Sequence, residues 1–60
     1  MVTGSNNGVI GNNNTALGNN NGINGSKNTV SGDNNSAEGD ANAVIGNGNA
    51  VDGNLNFING

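Results

Sequence analysis

Sixty residues, of which 18 are Asn and 12 are Gly, with 30% hydrophobic content and one aromatic (Phe57), leave room for a single small unit. Four acids against one Lys give a net charge of −3, a poor match for nucleic acid or anionic lipid. No Cys or His is present to form disulfide or zinc staples, and no apolar run reaches the roughly 18–20 residues of a membrane span or forms a signal segment.

Met1-Val2-Thr3 is a short lead-in, and the pattern starts at Gly4. Gly recurs at every seventh position: Gly4, Gly11, Gly18, Gly25, Gly32, Gly39, Gly46, Gly53 and Gly60. Asn follows three residues later each time: Asn7, Asn14, Asn21, Asn28, Asn35, Asn42, Asn49 and Asn56. Two residues further on stands a small aliphatic: Val9, Ala16, Ile23, Val30, Ala37, Val44, Val51 and Ile58. Residues 4–60 are therefore one array of eight heptads, Gly-x-x-Asn-x-aliphatic-x, with no capping element at either end.

Asn-rich composition alone suggests disorder, but a disordered chain has no reason to keep register. A seven-residue period also suggests a coiled coil. That would need two apolar seam positions per heptad, whereas only one is dependable here, and each interior Gly would cost a helix about 1 kcal/mol. The pattern fits short strands instead. Asn and the aliphatic lie two residues apart, so on a strand both face inward and the residues flanking the aliphatic face outward. Gly begins a bend, and the pair after it (Ser5-Asn6, Asn12-Asn13, Asp33-Asn34) covers the corner. One heptad makes a strand and a corner; two close a coil of 14 residues. The expected fold is an all-β parallel β-solenoid of about four coils with two flat strand faces.

In such a coil the aliphatics form a thin core of facing pairs, Val9/Ala16 through Val51/Ile58, and the in-register Asn residues form buried ladders at the corners. Alternate heptads then share an outer face. The first face carries Gly8, Gly22, Ser36 and Ala50 in one row and Ile10, Asn24, Glu38 and Asp52 in the other. The second carries Thr15, Thr29, Ala43 and Phe57 beside Leu17, Ser31, Ile45 and Asn59. These last eight residues have no charge and are the candidate binding or assembly face.

Catalysis is not expected. Without His or Cys there is no nucleophile–base pair, and Ser and Thr have no partner base. Asp33 and Asp40 lie in adjacent heptads, hence on opposite edges, and cannot share a metal. Gly46-Asn-Gly48 has neither the Lys nor the following helix of a phosphate loop, and no cofactor is implied.

Gly11-Asn-Asn-Asn-Thr-Ala-Leu-Gly18 and Gly32-Asp-Asn-Asn-Ser-Ala-Glu-Gly39 resemble the head repeats of trimeric autotransporter adhesins and haemagglutinin-like surface proteins. Asn28-Thr-Val-Ser-Gly32 is equally similar to the x-x-Asn-x-Val-x-Gly repeat of ryegrass antifreeze proteins. Both resemblances imply a left-handed β-roll. The first implies adhesion or fibre formation at a cell surface, and the second implies ice binding by a flat face. The chain departs from both: adhesin heads vary between Ser, Ala and Asn where this array has Asn throughout, and the ice binders carry more outward Thr, Ser and Val. The expectation is a structural, extracellular or surface solenoid that forms homo-oligomers or filaments by stacking or bundling. The runner-up is an ice-binding protein, and a scaffold segment of a longer array is the third reading.

Overall fold

A computed structural model describes all of residues 1–60. The Gly-x-x corners generate nine short strands: β1 (Val2–Thr3), β2 (Gly8–Ile10), β3 (Thr15–Leu17), β4 (Gly22–Ser26), β5 (Thr29–Ser31), β6 (Ser36–Asp40), β7 (Ala43–Ile45), β8 (Ala50–Asp52) and β9 (Phe57–Asn59). Odd-numbered strands form a five-stranded sheet in the order β1-β3-β5-β7-β9, and even-numbered strands form a four-stranded sheet, β2-β4-β6-β8. All pairings are parallel. The register steps by one coil each time, as in Ala16↔Val30, Val30↔Val44 and Val44↔Ile58. The chain is thus the parallel β-solenoid of about four 14-residue coils that the heptads predict.

The corner has a fixed conformation. Its leading Gly has φ between 114° (Gly4) and 140° (Gly25), a region that excludes a Cβ. The third corner residue is left-handed, with φ of 58–61° at Asn6, Asn13, Asn20, Lys27, Asn34, Ala41 and Leu55, and 67° at Gly48. Asn and Gly tolerate that conformation well; Lys27, Ala41 and Leu55 hold it at a cost. These three share one edge of the solenoid, which is consequently the more strained of the two.

Between the sheets lies a core one side chain thick: Ala16, Ile23, Val30, Ala37, Val44 and Val51 are buried, with Val9 and Ile58 packed against them half-exposed in the outer coils. The molecule measures 25 × 24 × 12 Å, so no residue lies far from solvent. With so little apolar volume, backbone pairing and polar ladders must supply much of the order.

Met1-Val2-Thr3 is more than a lead-in. Val2–Thr3 pairs with Ala16 and Leu17 and extends the five-stranded sheet. The signal was in the sequence: Val2 stands seven residues before Val9, at the aliphatic position of an incomplete heptad.

Candidate binding and assembly face

The heptad Asn residues hold the coils in register. Asn14, Asn21, Asn28, Asn35 and Asn42 are buried, yet no buried side-chain polar atom lacks a partner. From Asn7 to Asn49 the ladder Asn Nδ2 donates to the corner Gly carbonyl of the following coil, for example Asn28 to Gly39 at 2.7 Å and Asn21 to Gly32 at 2.8 Å. From Asn7 to Asn42 the Oδ1 accepts the backbone N–H of the ladder Asn one coil on, as from Asn42 to Asn28 at 2.9 Å. Direct amide-to-amide bonds are the minority, found only between Asn28 and Asn14 (3.3 Å) and between Asn49 and Asn35 (3.2 Å). The ladder is therefore chiefly side chain to backbone, which differs from the simple stacking of amides that the repeated Asn suggests. An Asn fits because it supplies both an acceptor and a donor from a two-carbon reach.

A second set of ladders follows the residue after each corner Gly. Ser5 N–H donates to Asn19 Oδ1 (3.0 Å), Asn19 N–H to Asp33 Oδ1 (3.0 Å) and Asp33 N–H to Asn47 Oδ1 (3.0 Å) along one edge. Along the other edge, Ser26 N–H donates to Asp40 Oδ1 (3.1 Å) and Asp40 N–H to Asn54 Oδ1 (2.9 Å). These acceptors reach back to the preceding coil, opposite to the internal Asn. In the sequence these positions read as corner cover, and the bond they make is not apparent. The clue was the preference for Asn and Asp at the second heptad position, which holds either residue six times in eight.

The two outer faces differ in chemistry. On the four-stranded sheet, Glu38 and Asp52 are register partners, and Asn24 is the partner of Glu38. The glycines at 8 and 22 leave a shallow open depression of about 340 Å³, floored by Ile23 and walled by Ile10, Asn24 and Glu38. Asp33 and Asp40 sit in the ladders of opposite edges.

All eight residues of the candidate face lie on the five-stranded sheet. Thr15, Thr29, Ala43 and Phe57 are successive register partners in one row, and Leu17, Ser31, Ile45 and Asn59 in the other, which Thr3 extends. Two pairs stand out. Thr15 and Thr29 align their hydroxyl-bearing side chains across adjacent strands, while Ile45 and Phe57 are 45% and 72% exposed large apolar groups. Leu55, 82% exposed, stands at the adjoining corner. No side chain on this sheet is charged.

Comparison with known proteins adds no relative: no family model, no curated protein and no solved structure matches the chain significantly.

Proposed function

We propose that this solenoid is a non-enzymatic structural element that associates with copies of itself, laterally and end to end, to build an extracellular or surface fibre or an adhesin-head-like array. The observation that carries the reading is the uncharged outer face of the five-stranded sheet, where Leu17, Ala43, Ile45 and Phe57 stand on a flat surface with the last two well exposed. Ala43, Ile45 and Phe57 adjoin on neighbouring strands while Ser31 separates Leu17 from them, and an exposed apolar cluster on so small a molecule favours association through that face. The ladders that join each coil to the next at a 14-residue spacing support end-to-end stacking as well. The adhesin-like repeats agree with such a role.

Scattering coupled to chromatography tests it, together with electron microscopy. Assembly gives a concentration-dependent rise in mass and elongated particles, and Leu17→Asp with Phe57→Asp lowers the mass. A monodisperse monomer at high concentration overturns the proposal.

The in-register Thr15 and Thr29 hydroxyls favour a second reading, ice binding by the same face. It predicts faceted ice crystals and thermal hysteresis, both weakened by Thr29→Lys. Round, unaltered crystals dismiss it.

A further inference from the structure

Five Asn residues in this chain precede a Gly: Asn7, Asn21, Asn24, Asn47 and Asn59. Asn-Gly is the dipeptide in which the following backbone nitrogen most readily reaches the side-chain carbonyl carbon, because Gly brings no side chain to obstruct the approach. We propose that the folded solenoid confines spontaneous deamidation to Asn24 and Asn59 and shields the other three, and that modification at Asn24 turns one row of the four-stranded sheet into a line of carboxylates.

The shielding follows from the ladders. Asn7 Nδ2 donates to Gly18 O at 2.9 Å and its Oδ1 accepts from Asn21 N–H at 3.0 Å, while Gly8 N–H, the required nucleophile, donates to Asn21 O at 2.8 Å. Asn21 is held in the same way: its Nδ2 donates to Gly32 O, its Oδ1 accepts from Asn35 N–H, and Gly22 N–H donates to Asn35 O. At Asn47 the Oδ1 accepts from Asp33 N–H and Gly48 N–H donates to Asp33 O. At each of these positions both reacting groups must be released together.

Asn24 and Asn59 are different. Exposure does not set them apart, since Asn47 is exposed as well, but both stand on outer rows of the sheets and neither amide belongs to a ladder. Their side chains are free to rotate, so only the backbone nitrogen of Gly25 or Gly60 has to come loose. In the reaction that nitrogen attacks Cγ of the Asn and forms a C–N bond. The Cγ–Nδ2 bond breaks, and the amide leaves as ammonia with the proton lost from the Gly nitrogen. Water then opens the cyclic imide at either carbonyl to give aspartate or isoaspartate.

The consequence at residue 24 is electrostatic. Its register partner is Glu38, whose next partner is Asp52. A carboxylate there completes three in line at the strand spacing of about 4.8 Å. Like charges directly opposite one another on neighbouring strands repel and loosen the sheet, and salt screens them. The isoaspartate product also adds a backbone methylene in the middle of β4.

Peptide mapping by mass spectrometry tests the proposal on the folded chain held at mildly alkaline pH, beside a urea-unfolded control. The expected result is a gain of about one mass unit at Asn24 and Asn59 only, with all five sites modified in urea. Modification at Asn7, Asn21 or Asn47 as fast as at Asn24 in the folded chain overturns the shielding; an Asn24 that stays intact overturns the site. Asn24→Gln should leave Asn59 as the sole reactive position. For the carboxylate row, Asn24→Asp should lower the Tm at low ionic strength and recover as salt is added. A Tm difference from the parent chain that does not change with salt overturns that part.

Discussion

A Cβ built on Gly25 would fall on the carbonyl oxygen of Gly39, one coil further along. The corners of successive coils are packed backbone on backbone, and the φ of 140° at Gly25 independently excludes an L side chain. Gly25→Ala should therefore abolish the folded circular-dichroism spectrum. Gly22, on an outer row with nothing within 4 Å of its absent side chain, is the control. Gly22→Ala should change stability by no more than about 1 kcal/mol and in the favourable direction, since Ala has less freedom to lose.

The internal and outer ladders should respond unequally to truncation. Asn28→Ala removes bonds to Gly39 O and Asn14 Oδ1 and strips the Asn42 N–H of its acceptor, all in buried surroundings. Leaving these groups unpaired should cost roughly 2–5 kcal/mol in urea denaturation, a large share of the stability of so short a chain. Asn47→Ala deletes one acceptor on an exposed edge, for the N–H of Asp33, and should cost under about 1 kcal/mol.

At Asp33 the carboxylate functions as an acceptor for Asn19 N–H. Asp33→Asn keeps a carbonyl oxygen in place and should leave the urea midpoint nearly unchanged. Asp33→Ala, by losing the acceptor, should destabilise by about 1 kcal/mol. Equal losses in the two variants would refute a role for the bond.

The strained edge offers stabilising changes. Ala41 and Leu55 hold φ of 58° and 59°, where Gly or Asn rests more comfortably. Ala41→Gly and Leu55→Asn should each raise stability by roughly 0.5–1.5 kcal/mol, read as higher thermal midpoints. Asn20→Ala, on the relaxed edge, should do the reverse.

Much of this architecture was legible because one period carried several independent constraints. Gly25 marks a bend, Asn28 a buried amide and Val30 a core position, and their fixed spacing defines the coil length and the assignment of Thr15, Thr29, Ala43 and Phe57 to one face. The corner geometry was less legible. Its left-handed residue is Asn on some coils but Lys27, Ala41 and Leu55 on others, so local preference gives no uniform signal where the stacking overrides it. The return ladder through Asn19, Asp33 and Asn47 was hidden for a different reason. Asn and Asp are ordinary turn residues, and their bonds to the coil below exist only once coils are stacked. β1 is only partly legible because Val2 and Thr3 supply just the aliphatic end of a heptad.

The two ladder systems also give the array a direction. Cut between any two coils, and the surfaces exposed are unlike. One offers the internal amides that would have held the next corner; the other offers the outer Asx oxygens together with the peptide groups those amides would have met. Such surfaces match only by translation along the axis, never by a two-fold rotation that would bring like against like. Contacts of this kind repeat head to tail without closing, so an assembly built through them grows as an open, polar filament with a distinct front and back.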